Sequence, residues 1–437
     1  MDAATQMPSH PNSVWAATAN PRSNLPCLED DIETEVAIIG GGYSGLSTAH
    51  HLSKAGVDCV VIEANDVGWG ASGRNGGMAV LRYKKGFSEL ATLYGDETTH
   101  GLYRLVMEAV DTLEGIVREY SIDCGFSRYG HITAANGRKS VESLEADIAW
   151  LARRAGDHGA RMLDAREMRQ MVGTSVYPGG YLDPRAGGVH PLNYARGLGA
   201  ALHGKGIPIY VSSPVESMER DHGGMVLSTR RGRVYAKKVV VTTNAYTDLM
   251  PLGTNLARRI VPVSTSVLAT APLPSELASS ILPQGQLVTD NRHLVNYFRM
   301  LPGNRLLYGG RGDITGKESP DIYRGLHSML VSTFPALKDT AIEFHWSGKV
   351  AVTLDDFPHF GKLGEKIFYS VGYGGRGVAL TNLLGKLLAR LVCGEAVDAG
   401  PMNKGRFNPI FMHRLRIPGM QMVAGYYGLL DKMERQA

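Results

Sequence analysis

Three observations predict an α/β (α+β) protein with two domains: strand, glycine loop, helix and strand follow one another over residues 35–62; a second strand runs through glycines into a helix near the C-terminus; and alternating strand patterns lie between them. The expected architecture is a nucleotide-binding domain with a parallel central sheet, plus a smaller domain with a mostly antiparallel sheet and flanking helices. At 437 residues and 43% hydrophobic, the chain exceeds what one hydrophobic core usually supports, so a single compact domain is not expected.

Residues 1–33 carry Pro8, Pro11, Pro21 and Pro26 with little periodicity and read as an arm on the surface of the first domain, anchored by Trp15. From Glu35 the run Val36-Ala37-Ile38-Ile39, the loop Gly40 to Gly45, the helix Leu46 to Lys54 and the run Cys59 to Ile62 form a βαβ unit. Its continuous apolar strands suit a sheet buried on both faces. Two helical patterns follow between about 96 and 154, the clearer with Leu102, Leu105, Val106, Ala109, Leu113, Ile116, Val117 and Tyr120 on one face. From Ile207 to Thr243 the period is that of strands, whereas Ile260 to Ala271, Leu294 to Met300 and Arg305 to Gly310 suit an antiparallel sheet. The expected division is therefore 34–95, 155–248 and 340–437 for the nucleotide-binding domain, with 96–154 and 249–339 for the second.

The formal charge of +4 arises from 46 basic and 42 acidic residues spread along the chain, with no Lys/Arg block suited to nucleic acid or lipid headgroups. Four dispersed cysteines, Cys27, Cys59, Cys124 and Cys393, argue against a disulfide framework and a zinc site, and point to a reducing, cytoplasmic setting. The histidines form no metal-ligand spacing, so no metal is expected. No apolar run approaches the length of a membrane span, and no heptad or exposed apolar stripe announces an oligomer interface.

Three constellations carry chemistry. Gly40-Gly41-Gly42-Tyr43-Ser44-Gly45 reads as G-x-G-x-x-G after a strand and opening a helix: Gly40 for the turn, Gly42 for close approach of a pyrophosphate, and Gly45 for helix–sheet packing. Glu63, followed by Ala64, ends the next strand where a carboxylate accepts from ribose hydroxyls, favouring FAD or NAD over NADP. This makes the unit Rossmann-type. The loop Gly68 to Gly77 contains Gly70, Ala71, Ser72, Arg74, Asn75, Gly76 and Gly77. Its hydroxyl, guanidinium, amide and backbone N–H groups suit the phosphates and ring edge of a flavin that stays bound through turnover. Finally Gly372-Tyr373-Gly374-Gly375-Arg376-Gly377-Val378 opens an amphipathic helix whose N-terminus would stabilise charge on a reduced flavin ring.

Together these residues resemble the D-amino acid oxidase superfamily of flavoproteins, the group containing glycine oxidase and sarcosine oxidase. The stretch Trp15 to Asn20, the loop Gly68 to Gly77 and Gly372 to Leu380 resemble most closely its gamma-glutamylputrescine oxidase branch. The resemblance covers nearly the whole chain and implies extended FAD, adenine contacts near Val215, and substrate under the antiparallel sheet. In sarcosine-oxidising relatives a cysteine after the segment matching Trp346 to Gly348 bonds to the flavin. Here the neighbourhood reads Ser347-Gly348-Lys349, which implies noncovalent FAD. Those relatives also keep a lysine beyond the C-terminal glycine loop, where this chain has Val378-Ala379-Leu380, and another in the strand matching Arg305 to Gly310. The acceptor, O2 or another, is thereby left open.

The chemistry so implied is oxidation of a C–N bond in a small amine or amino acid, with hydride transfer to flavin N5 and an imine that hydrolyses. Positioning and a suitable field supply much of such catalysis. Tyr297, Arg299, Trp346 and Arg376 are the pocket candidates, the arginines for a substrate carboxylate and Tyr297 for a hydrogen bond to amine or acid. Two other readings stand beside it: a flavin-dependent dehydrogenase of a C–OH substrate passing electrons to a quinone or carrier, and a nonenzymatic binding protein on the same fold.

Overall fold

The computed structural model describes residues 10–250, 252–313 and 319–436. The strand Ile32–Ile39 lies inside an eight-stranded sheet, between parallel neighbours Cys59–Ile62 and Arg233–Val241; Ile209–Tyr210 and Ile367–Val371 extend the parallel run outward. Val36, Ile38 and Val61 point into a core shared with Leu46 and Leu52 of the helix Tyr43–Lys54 and with Leu383 and Leu387 of the helix Gly377–Val392. Ala37, Ile39, Val60 and Ile62 point the other way, onto Met225, Leu227, Leu252 and Leu256. Burial of both faces explains why these strands read as unbroken apolar runs. Each fully buried leucine contributes about 1.5–3 kcal/mol. The two helices cross closely: a Cβ at Gly385 would stand 2.5 Å from Ser47 Oγ, and that hydroxyl donates to the Asn382 carbonyl (2.7 Å).

The second sheet also has eight strands, in the order Ile342–Val352, Val261–Thr270, Arg305–Arg311, Tyr297–Leu301, Leu287–Asp290, His131–Ala134, Gly179–Asp183 and Arg161–Asp164. All its pairings are antiparallel except Leu287–Asp290 with His131–Ala134.

Sheet membership departs from the expected division at three places. Arg161–Asp164 with Gly179–Asp183, and Ile342–Val352, join the second sheet rather than the first. The helix Phe87–Glu119 buries Leu102, Val106 and Leu113 in the same core as Leu383, so it belongs with the parallel sheet. An apolar period reports that one face is buried; it carries no information on which sheet that face meets.

Candidate active site

The helix Tyr43–Lys54 begins at Gly42 without a side-chain cap. A Cβ at Gly45 would overlap the Gly40 carbonyl oxygen, so helix and loop meet at a distance only glycine permits. Glu63 is turned toward this loop: its Oε2 accepts from the Gly41 N–H (2.6 Å) and its Oε1 from the Asn65 N–H (2.8 Å), which flanks Ala64. Burial raises the Glu63 carboxyl above its usual range, against the pull of those two N–H groups. Lone pairs left on this carboxylate suit donors such as ribose hydroxyls. Val215 is buried two residues after Ser213, whose N–H donates to the Glu63 carbonyl (2.9 Å), which sets Val215 at the same strand end.

The loop Gly68 to Gly77 is tied down from several sides. Ser72 Oγ accepts from the Tyr43 N–H (3.0 Å), fastening the loop to the helix start beside Gly42, while the Tyr43 ring is buried and donates to the Pro191 carbonyl (2.9 Å). The Asn75 amide braces the loop from within: its Nδ2 donates to the Ala71 and Ser72 carbonyls (3.0 and 2.9 Å), and its Oδ1 accepts from the Gly77 N–H (2.7 Å). Arg74 stacks over the Trp69 ring, 4.3 Å from its centroid, leaving Gly70 and Ala71 at the turn it braces. Two indoles close the loop from behind: Trp15 donates to the Asn75 carbonyl (2.9 Å) and Trp346 to the Arg74 carbonyl (2.8 Å). Trp346 is 1% exposed, among Val14, Trp15, Leu192 and Leu307, so it is a clamp on the loop and not the pocket wall expected of it.

At the C-terminal loop, Asn244 Oδ1 accepts from the Gly372 N–H (2.9 Å), and the Tyr373 hydroxyl lies 3.1 Å from Ser44 Oγ and 2.6 Å from Ser370 Oγ. This buried chain of hydroxyls joins the two helix starts. Gly374 (φ +55°) and Gly375 (φ +84°) have nothing within 4 Å of where a Cβ would stand. The glycine-lined backbone ahead of Gly377 and the buried Val378 therefore leaves room for close approach of a ring system.

Facing these loops, Tyr297 and Arg299 share one side of their strand. The Tyr297 ring crosses Gly309 and reaches Gly76, where a Cβ would be 2.8 Å from Cε2. Arg299 is buried, donates to the Gly77 and Val189 carbonyls (3.0 and 3.2 Å), and stands 5.6 Å from the Tyr129 ring. Arg376, half-buried at the start of its helix, is electrostatically coupled to Arg82, which the sequence reading did not single out. Arg82 is buried and donates to Thr133 Oγ1 (3.0 Å); the buried His131 ring lies 2.9 Å from Thr289 Oγ1, its pKa lowered by burial and by both guanidiniums. Burial lowers Arg299 to about 10; burial and Arg82 lower Arg376 to about 9, so both stay cationic at neutral pH. None of the three arginines has a carboxylate partner among the described residues; Asp356, nearest in effect to Arg376, is held by Lys84 and Lys85 (2.8 and 2.9 Å). The signal for Arg82 was in the sequence: a lone arginine in the apolar run Met78-Ala79-Val80-Leu81-Arg82-Tyr83.

A βαβ nucleotide cradle joined to a second glycine-lined helix start, roofed by an antiparallel sheet, defines a dinucleotide-dependent oxidoreductase. The chain belongs to the DAO family, whose profile, described as "FAD dependent oxidoreductase", matches residues 35–391. It is 36% identical to "Gamma-glutamylputrescine oxidoreductase" of Escherichia coli (strain K12), over 98% of this chain and all of that one. Among solved structures it resembles glycine oxidase from Geobacillus kaustophilus (TM-score 0.73, 23% identity, 87% of this chain and 99% of that one). It also resembles L-proline dehydrogenase from P. horikoshii (TM-score 0.71, 20% identity, 84% and 95%). The protein is thus an FAD-dependent oxidoreductase. The residues fit the cofactor: Gly40 to Gly45 and Glu63 can take the adenosine and pyrophosphate side, and Gly374 to Gly377 the open ring side.

Proposed function

We propose that the protein oxidises the C–N bond of a small amine whose far end carries a carboxylate, a gamma-glutamylputrescine-like compound being the leading candidate. The observation that supports this most is the set of cations without carboxylate partners, Arg82, Arg299 and Arg376, around the glycine loops. A buried guanidinium left without a counter-ion is costly and suits an anionic ligand group. The likeness to the Escherichia coli relative, spanning both chains end to end, supports the same substrate class.

Bound FAD supplies the two-electron acceptor. The protein's own part is to hold the carboxylate on the arginines, to offer the Tyr297 hydroxyl as a hydrogen-bonding partner, and to keep the amine neutral in a dry site. Burial raises the Tyr297 phenol above its usual range and so keeps it a donor. The substrate loses a hydride from the carbon bearing nitrogen, the nitrogen lone pair closes the C=N bond with loss of a proton, and water cleaves the imine to a carbonyl compound and ammonia, or an amine where the nitrogen carries a second carbon.

The test is anaerobic bleaching of the flavin by gamma-glutamylputrescine, putrescine, sarcosine, pipecolate and a 2-hydroxyacid in turn, followed by admission of air. Bleaching by the carboxylated amine, and only weakly by putrescine, is expected. Bleaching by the 2-hydroxyacid alone would replace the reading with C–OH oxidation. The rate of recolouring in air tells whether O2 or another carrier accepts the electrons.

A further inference from the structure

From Ala399 to Leu430 the chain holds no acidic residue, but it holds Lys404, Arg406, Arg414 and Arg416. The structure folds part of this stretch against another basic segment, which gathers a cationic cluster where the sequence has no contiguous Lys/Arg block. The Ile410 N–H donates to the Arg258 carbonyl (2.8 Å), Arg259 donates to the Phe407 carbonyl (2.7 Å), and His413 Nε2 lies 3.0 Å from the Ile260 carbonyl oxygen. Lys404 and Arg416 pair with Asp398 and Asp248, whereas Arg258, Arg259, Arg406 and Arg414 have no carboxylate partner among the described residues. In this cationic surround stand three apolar side chains in water: Phe411 (86% exposed), Met412 and Leu415. The exposed Met422, Tyr426, Leu429 and Met433 continue the apolar stripe along the helix Arg416–Gln436.

We propose that this face docks on an anionic lipid bilayer, with Phe411, Met412 and Leu415 entering the acyl boundary and the guanidiniums pairing with headgroup phosphates. Charge decides between occupants. A two-fold contact with a second copy would set the same cationic patch against itself, with no acid between, whereas an anionic surface satisfies every guanidinium at once. The helix points the same way: it contains Pro418, Gly419, Gly425 and Gly428, and among its described side chains Ala424 is the buried one. Its C-terminal half is fastened to the body, where the Asp431 carboxylate accepts from the His293 and Leu294 N–H groups (2.9 and 3.1 Å), so the exposed apolar side chains are presented on a held helix.

The test is flotation of the FAD-loaded full chain with phosphatidylglycerol-containing vesicles and with neutral phosphatidylcholine vesicles. The protein is expected to float with the anionic vesicles, to stay behind with the neutral ones, and to be released by high salt. Arg406→Gln with Arg414→Gln should weaken binding about 25-fold, at about fivefold per cation. Phe411→Ser with Met412→Ser should weaken it at least about tenfold, with flavin spectrum and melting temperature unchanged. Absence of binding, or equal binding to both vesicle types, overturns the proposal. So does sedimentation showing a dimer that Phe411→Ser with Met412→Ser dissociates while vesicles are ignored, which would make this face a self-interface.

Discussion

Replacing Arg376 by glutamine separates function from stability. In the folded chain this guanidinium is half-buried, its proton is held less firmly because of burial and the neighbouring Arg82, and the nearby Asp356 carboxylate is occupied by Lys84 and Lys85. Its charge therefore contributes repulsion and desolvation to the free protein and becomes useful when a ligand carboxylate arrives. A charge-assisted hydrogen bond to such a group is worth about 1.5–3 kcal/mol. Arg376→Gln should accordingly lower the second-order rate of flavin reduction by a carboxylated amine about 10- to 150-fold. Putrescine, which lacks the carboxylate, should change by no more than about threefold on the same rate scale. Anaerobic stopped-flow with both amines measures the ratio, and thermal unfolding of the same samples should show a midpoint equal to or above the parent's. An unchanged ratio would refute the assignment of Arg376 to the substrate carboxylate. A midpoint lowered by several degrees would refute the claim that its charge is a burden in the free state.

Other expected outcomes test the cradle and its supports. Gly45→Ala forces a Cβ onto the Gly40 carbonyl oxygen and should abolish FAD retention, whereas Gly375→Ala, at φ +84° with open space ahead, should fold with a strain of about 1–2 kcal/mol and hold FAD more weakly. The comparison is read from the flavin-to-protein absorbance ratio after gel filtration. Trp15→Ala removes a buried indole and its hydrogen bond to the Asn75 carbonyl, costing about 3–5 kcal/mol in the docked arm. Limited proteolysis should then cut the arm first, with faster loss of flavin on dilution. Because no cysteine stands at Ser347 to Lys349, acid precipitation should release all the yellow colour into the supernatant; colour left in the pellet would show a covalent link.

Much of the fold is local enough to be read from the chain. The strands Cys59–Ile62 and Ile367–Val371 appear where the apolar runs begin and end, because strands buried on both faces carry few polar residues, and the buried Ser370 in the second is paired with the Tyr373 hydroxyl. The glycine loops are equally legible, since positions such as Gly45 or Gly375 leave no room, or a φ that costs any other residue strain. Residue type alone did not reveal two supports of the loop. Trp346 and the Asn75 amide look like ligand contacts in sequence, yet their polar atoms are committed to the loop itself.

The sequence by itself therefore determined the βαβ unit and its cofactor class, because Gly40 to Gly45 and Glu63 lie close along the chain. Only the tertiary structure decided which sheet each strand joins and which cations gather. Arg82 meets Arg376 across nearly three hundred residues, and Arg259 meets the Phe407 carbonyl across about one hundred and fifty. No periodicity or local spacing records such a meeting. It is fixed by which apolar faces pack together, and the charges are carried to their places by that packing.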